Sequence, residues 1–534
     1  MDIGKIPSTY RQETATSYVY GTAGFRRKAG ELPVIVFRMG VLSVLRSKAK
    51  KAVIGIMITA SHNPEEDNGV KLIDPYGEML AQAWEEYATL IANARDADLS
   101  AIIEKIQQQE SIDPALPGRV ACAYDTRESS ISLHEAAKIG VAAIGGSFTS
   151  FGVLTTPQLH YIVRCENDEK YGVPTESDYY VKFSSAFTEL NRSTVSDKAV
   201  VFVDGANGVG AIQIKKLATM VEGVLKINLV NCGEGRLNHE CGADYVKLLQ
   251  KPPVVYTPLR AIEPGQRWAS LDGDGDRLVY FYVDQSGTFH LLDGDKIAAL
   301  IAVYVGQLVQ AAELSKEKTS IGVVQTAYAN GSSTRFIQNV LKLPVFCVPT
   351  GVKHLHKKAH ELDIGVYFEA NGHGTVLFSD RLKEELALEL SDKNKSSPER
   401  LMALRRLKDF IDLVNETVGD ALADLLIVET ILMCKGWTVE DWDALYMDLP
   451  YRQLKVSVKD RSVITTTDAE RRCVTPAGLQ DRINTLVGKY NFSRAFVRPS
   501  GTEDIVRVLA EADTAEAADK LANEVADAVR ELVG

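Results

Sequence analysis

The chain has 534 residues, 45% of them hydrophobic and 25% charged, a balance that suits a globular protein and excludes a collagen, a mucin or a mostly disordered chain. Its formal net charge of -11 argues against a broad basic face for nucleic acid or an anionic membrane. No apolar run is long enough to span a bilayer, no apolar segment follows a basic start in Met1–Gln12, and the seven cysteines are scattered without a CxxC pair, so reduced thiols and a cytoplasmic protein are expected.

At roughly 150 residues per domain the length predicts three or four domains. The first is expected over 1–190. It opens with Tyr20-Gly21-Thr22-Ala23-Gly24-Phe25-Arg26-Arg27. A buried-type strand, Ala52–Thr59, then runs into Ala60-Ser61-His62-Asn63-Pro64. A serine in that place sits at the carboxyl edge of a sheet, where open α/β folds bind ligands. An ordinary serine-containing turn fits the same stretch. The glycines of a hydrolase elbow are missing. Helical patterns follow around 81–94 and 101–108, and a strand over Arg119–Tyr124 stops at Asp125-Thr126-Arg127.

A second domain, expected over 191–293, starts with the β-branched run Ala199–Val203, a Gly-rich turn, a helix to about Val221 and a strand at Leu225–Val230. That rhythm belongs to a parallel α/β unit. The short strand Trp268–Leu271 ends at Asp272-Gly273-Asp274-Gly275-Asp276-Arg277, and a hairpin over 278–292 follows. Three carboxylates alternating with glycines would repel one another without a cation, and their oxygens suit Mg2+. A solvated acidic turn is the bland alternative.

A third domain is expected over 294–445: a long apolar helix from Gly294, then strand, helix, strand, helix and strand to Phe368, and a helical hairpin near 399–434. Glu369-Ala370-Asn371-Gly372-His373-Gly374 closes its last strand, where Glu369 and Asn371 could bridge adjacent sugar hydroxyls. His373 fits a sugar contact or a buried structural histidine equally well. The charge-rich stretch 380–399 reads as a helix end and a surface loop. The last domain, 446–534, reads as a small α+β unit with an antiparallel sheet covered on one face. It carries Arg498-Pro499-Ser500-Gly501-Thr502-Glu503-Asp504 and then Arg507, the guanidinium forks, hydroxyls and exposed backbone that a phosphate needs. A capping loop is the alternative.

In chain order and approximate spacing these four loops resemble the α-D-phosphohexomutase superfamily, over nearly the whole chain. Two further features resemble its eukaryotic branch acting on N-acetylglucosamine phosphates: the Glu-Ala-Asn-Gly-His-Gly loop, and Thr350-Gly351-Val352-Lys353-His354-Leu355-His356. Asn371 stands where the glucose and mannose phosphate enzymes carry a serine. The resemblance implies an α/β fold of three α/β domains and a smaller C-terminal α+β domain around a central active-site cleft. It implies interconversion of N-acetylglucosamine 6-phosphate and 1-phosphate, through a phosphoserine and a bisphosphate, on the route to UDP-N-acetylglucosamine. Carried over residue by residue, Ser61 is the phosphorylated serine, and Arg26, His62, Lys71 and Arg277 are the cationic or proton-handling groups around it. Asp272, Asp274 and Asp276 hold Mg2+ together with an oxygen on Ser61. Thr350, Gly351, Lys353, Glu369, Asn371 and His373 bind substrate, and Arg498, Ser500, Gly501, Thr502 and Arg507 hold the phosphate that is not reacting. The expected partner is a small sugar phosphate, with no nucleic acid and no membrane, and the chain is expected to act as a monomer.

Overall fold

The computed structural model describes residues 6–192, 199–255, 262–314, 319–391, 397–500 and 504–533. The chain falls into two compact units. One is Met1–Asp293 with Asn371–Thr375 and Arg405–Val439; the other is Gly294–Ala370 with Val376–Leu404 and Glu440–Gly534.

The first unit carries two five-stranded sheets. β1 (Phe25–Lys28), β2 (Val53–Ile58), β3 (Asp67–Ile73), β4 (Arg119–Tyr124) and β5 (Ser147–Val153) run in the order β1-β3-β2-β4-β5. β2, β4 and β5 are parallel, and β3 is antiparallel to both β2 and β1. Every residue of β2 is buried, as its unbroken apolar run demands of a strand covered on both faces. Helices Pro33–Lys50 and Ser129–Ala142 pack together through glycines. A Cβ on Gly40 would lie 2.4 Å from the Ala137 carbonyl oxygen, and one on Gly140 1.9 Å from that of Phe37. Helix Thr156–Asn167 packs against β2, where a Cβ on Gly55 would meet Val163 at 2.8 Å.

β6 (Ala199–Asp204), β7 (Leu225–Val230), β8 (Trp268–Leu271), β9 (Leu278–Val283) and β10 (Phe289–Leu292) form the second sheet in the order β10-β9-β8-β6-β7. It repeats the pattern of the first, three parallel strands followed by two antiparallel ones. Buried Trp268 stacks between Phe202 and Phe281.

In the second unit β11 (Ile321–Thr326), β12 (Val345–Val348), β13 (Ile364–Phe368) and β14 (Gly374–Phe378) lie in the order β12-β11-β13-β14, with the first three parallel. β15 (Tyr451–Ser457), β18 (Arg494–Pro499) and β19 (Ile505–Glu511) form an antiparallel sheet in the order β15-β19-β18, and β16 (Thr465–Thr467) pairs with β17 (Arg472–Thr475) in a hairpin. One face of the three-stranded sheet buries Val456, Val497, Val506 and Val508 against Leu521 and Val525 of helix Ala515–Val533.

One reading changes. The charge-rich stretch after residue 379 contains a regular helix, Asp380–Ser391, because Leu382 and Leu386 are one turn apart and both buried; 392–396 lie outside the described residues. Helices Pro33–Lys50, Ser129–Ala142, Thr156–Asn167 and Glu176–Asn191 carried no reading at all.

Candidate active site

Ser61 follows β2 directly and takes φ 52°, left-handed for a residue with a side chain. Its loop is braced from below. Ser61 N donates to Thr59 Oγ1 (2.9 Å), and Thr59 Oγ1 donates to Asp125 Oδ2 (2.7 Å). Arg127, salt-bridged to Asp125, donates from Nη2 to the Ser61 and Asn63 carbonyls (3.1 and 2.8 Å). Asn238 Nδ2 donates to the same two carbonyls (2.9 and 3.1 Å). Such a buried network of shared partners favours one geometry.

The brace aims the Ser61 hydroxyl at the turn between β8 and β9, where Oγ donates to Asp272 Oδ2 at 2.6 Å. The approach requires Gly273, since a Cβ there would lie 2.5 Å from the Ser61 carbonyl oxygen. Asp272, Asp274 and Asp276 are all buried, with ligand oxygens within 4.8 Å of one another. Lys71 on β3 donates to Asp274 Oδ2 and Asp276 Oδ2 (3.2 and 3.3 Å), and Thr156 Oγ1 donates to Asp274 Oδ2 (2.6 Å). Burial and the neighbouring carboxylates of Asp276 and Asp274 push the Asp272 carboxyl well above the usual range. Against burial, Lys71 and His373 hold that of Asp276 well below it.

Asp274 Oδ1 and Asp276 Oδ1 are buried and accept no hydrogen bond. Unsatisfied buried carboxylate oxygens are costly, and a hard divalent cation would satisfy both. The donor set fits Mg2+, which takes carboxylate oxygens and completes its shell with water and phosphate oxygens.

Arg26, His62, Lys71 and Arg277 gather around the aspartate turn. Burial first, and then Arg277, lower the proton affinity of Arg26, whose charge is also felt by the three aspartates. Arg277 Nη1 donates to Asp244 Oδ1, and His62 Nδ1 pairs with Asp244 Oδ2, both at 2.7 Å. Burial and Arg277 lower the His62 imidazole below its ordinary value. Asp244 was not singled out in the sequence; an acid at the start of helix Ala243–Leu249 looks like helix capping there.

The loop Asn371–Thr375 belongs to the same unit. His373 is buried, with Nδ1 2.7 Å from the Asp276 carbonyl oxygen, and Gly372 accepts from Leu278 N (3.1 Å). Gly372 (φ 89°) admits no Cβ, which would lie 2.0 Å from the Leu278 carbonyl oxygen. This loop is thereby pinned to the aspartate turn. Asn371 Oδ1 accepts from His373 N (3.0 Å). Glu369 is partly exposed just after β13, in the other unit.

In that unit the register pairs Arg498 with Arg507 and Arg507 with Lys455. Directly opposed residues share a face, so three cations form a row across the sheet, on the face away from the helix-covered core. Arg498 Nε donates to Glu470 Oε1 at 2.9 Å. Thr350 reaches the same carboxylate, its N donating to Oε2 at 3.1 Å and its hydroxyl donating as well. Against partial burial, Glu470 raises the proton affinity of the Arg498 guanidinium. Gly351, at φ 123°, starts helix Val352–Ala359, which carries Lys353. Ser500 is buried. Gly501 and Thr502 lie outside the described residues. Glu470 had no signal in the sequence: it stands in a hairpin turn 28 positions before Arg498.

All seven cysteines are unpaired, and among the described residues no helix is long and apolar enough to cross a membrane.

Models of known families match four stretches: the phosphoglucomutase/phosphomannomutase α/β/α domain I at 21–98, phosphoacetylglucosamine mutase domain II at 169–279 and domain III at 293–437, and the phosphoglucomutase/phosphomannomutase C-terminal domain at 455–528. Human phosphoacetylglucosamine mutase is 52% identical, covering 100% of this chain and 98% of its own; the Candida albicans protein is 44% identical, covering 98% of each. Aspergillus fumigatus N-acetylphosphoglucosamine mutase, solved with GlcNAc-6P and magnesium, is 45% identical with a TM-score of 0.91, over 97% of this chain and 96% of that one.

Proposed function

The chain belongs to the phosphoacetylglucosamine mutases of the α-D-phosphohexomutase superfamily, and from that premise we propose that Ser61 carries the phosphoryl group it moves between positions 6 and 1 of N-acetylglucosamine. The observation that supports this reading best is the Ser61 hydroxyl held 2.6 Å from Asp272, beside two buried carboxylate oxygens that accept no hydrogen bond.

The enzyme is an isomerase, so phosphate is neither gained nor lost over a cycle. Phosphorylated Ser61 gives its group to the free hydroxyl of a sugar monophosphate. The sugar oxygen bonds to phosphorus as the serine oxygen leaves, and the hydroxyl proton is lost. The resulting bisphosphate turns around, and its other phosphoryl group returns to Ser61. Such transfers need positioning and charge neutralisation more than covalent help. Arg26, Lys71 and Arg277 supply fixed positive charge, and His62, oriented by Asp244, is the group placed to handle a proton. Asp272, Asp274, Asp276 and an oxygen on Ser61 would hold Mg2+, which supplies further charge neutralisation at the transferring phosphoryl group. Thr350, Gly351, Lys353, Glu369, Asn371 and His373 orient the sugar, and Arg498, Ser500, Gly501, Thr502 and Arg507 take the phosphate that is not reacting.

We assign the four domains to 1–190, 191–293, 294–445 and 446–534, one sheet to each apart from the short hairpin in the last. Every group around Ser61 comes from one compact unit of one chain, which supports a working monomer. The unpaired cysteines support a cytoplasmic enzyme supplying N-acetylglucosamine 1-phosphate for UDP-N-acetylglucosamine. The test is kcat/KM on the 1-phosphates of N-acetylglucosamine, glucose and mannose, with intact-mass measurement of phosphate on Ser61. Preference for the first sugar and a Ser61-dependent phospho-enzyme are expected. Net phosphate release without a bisphosphate would overturn the reading in favour of a phosphatase.

A further inference from the structure

We propose that Glu470 is a positioning residue of the phosphate site, tying Arg498 to the Thr350 turn so that the guanidinium meets an incoming phosphate already in place. The proposal rests on the reading of Arg498 as a phosphate ligand. It adds a residue which that reading does not contain.

Four observations carry it. First, one carboxylate collects three donors from two separate elements: Arg498 Nε near the end of β18, and the Thr350 amide and hydroxyl just after β12. It uses both oxygens, so it fixes the distance between the two elements as well as the angle of each. Second, Glu470 meets the guanidinium at Nε, with Tyr328 also beside it. A guanidinium has five N–H donors, so this grip fixes the plane of the fork without consuming it. Third, Arg498 stands directly opposite Arg507. Like charges in that relation repel, and a side chain with rotamer freedom would swing away. The carboxylate counters that. Fourth, the turn that presents Glu470 is held in an uncommon shape: Asp468, Ala469 and Glu470 have φ of 54°, 53° and 69°, three consecutive non-glycine residues in the left-handed region. Such conformations persist only where surrounding structure imposes them, and they gather at functional positions. The side chains of Glu470 and Arg498 are 18% and 22% exposed, so the pair is shielded enough to hold and open enough for a ligand to reach.

A negative charge beside a phosphate ligand also has a cost. If Glu470 were only a stand-in for the phosphate, filling the site until substrate arrives, its removal would tighten binding. A positioning role predicts the reverse sign, so kinetics separate the two.

The experiment is steady-state kinetics on N-acetylglucosamine 6-phosphate for wild type, Glu470→Ala, Glu470→Gln, Arg498→Ala and the double variant Glu470→Ala/Arg498→Ala, with a thermal melt of each. Glu470→Ala should lose about tenfold in kcat/KM, the scale of a charge-assisted hydrogen bond, with KM raised and kcat lowered. Glu470→Gln keeps the shape and one acceptor oxygen, so it should recover part of the loss. In the Arg498→Ala background the Glu470→Ala change should add less than about twofold, because coupled residues are not additive. Glu470→Ala within about twofold of wild type, a lowered KM, or full additivity in the double variant each overturns the proposal. If Arg498→Ala is itself silent, the phosphate-site reading falls and takes this one with it; a damaging Arg498→Ala beside silent Glu470 variants overturns only the role of Glu470.

Discussion

The serine site and the arginine site solve the same electrostatic problem in opposite ways. Around Ser61 the excess is negative: three buried aspartates face one another, and Lys71 is shared between two of them. Asp274 Oδ1 and Asp276 Oδ1 accept no hydrogen bond, which leaves room for a cation to complete the site. Around Arg498 the excess is positive, with Arg507 and Lys455 in the same row, and the protein supplies its own carboxylate from Glu470. On the proposed reading the first site takes a metal and a covalently held phosphoryl group. On the same reading the second takes and releases an anion. If both roles hold, buried, over-determined geometry goes with bond making here, and partly exposed, countercharged geometry with reversible grip.

The comparison breaks most cleanly at Ser61. Ser61→Ala removes one oxygen and one hydrogen bond to Asp272 while leaving the backbone brace from Arg127 and Asn238 in place. No turnover above background and a near-native melting temperature are expected. Normal turnover would show that the covalent step lies elsewhere.

Metal removal comes next. Chelator-treated enzyme should be inactive, and Mg2+ should restore it. Because the cation binds only the folded aspartate cluster, it should also raise the melting temperature, with stabilisation of about 2.7 kcal/mol at a hundred times Kd. Asp274→Asn should abolish that shift. Full activity without metal, or a Mg2+ shift that survives in Asp274→Asn, would remove the metal from the serine site.

Asp244 sharpens the contrast within the serine site. Its carboxylate holds Arg277 and His62 at once. Asp244→Ala should free both side chains and cost about 10²-fold in kcat, the scale of a misplaced catalytic geometry, with a smaller change in KM. A change confined to KM would move His62 and Arg277 out of the chemistry.

How far the residues alone carry is uneven across these two sites. The acidic turn is readable because carboxylates at alternate positions between glycines have few uses other than metal binding. Strand β2 and the parallel β6–β7 unit are readable because their apolar runs are continuous. Lys71 lies on β3, whose sequence Asp-Asn-Gly-Val-Lys-Leu-Ile is too polar to announce a strand; its pairing with β2 creates it. Helix Pro33–Lys50 buries Arg38 and Arg46 along with its apolar residues, so no clean stripe betrays it. Asp244 and Glu470 are invisible for one reason: each acts on residues tens of positions away, and only the fold makes the pair.

Arg498→Lys tests the arginine site. Lysine keeps the charge but not the fork that serves Glu470 and a phosphate together. Both KM and kcat should worsen, by about tenfold in kcat/KM, since a hydrogen bond to a charged group is worth roughly 1.5–3 kcal/mol. Values near wild type would mark Arg498 as a replaceable surface cation.

The smallest effect is expected at Asn371, which sits between the two kinds of site in character. Its Oδ1 accepts from His373 N, and His373 in turn holds the Asp276 carbonyl. The oxygen therefore has a structural role, and the proposed sugar contact would fall to the amide donor. Asn371→Ala removes both. Asn371→Asp keeps an acceptor for His373 N and loses the donor. If the sugar is recognised by the amide, the two variants should lose similar amounts, about 0.5–1.5 kcal/mol and hence several-fold in kcat/KM, mainly through KM. If the residue matters only because it shapes the loop pinned to the aspartate turn, Asn371→Asp should stay near wild type while Asn371→Ala loses activity and Mg2+ affinity together. Measuring Mg2+ dependence alongside KM for both variants separates the two, because a sugar contact leaves metal affinity alone and a loop defect reaches Asp276 through His373.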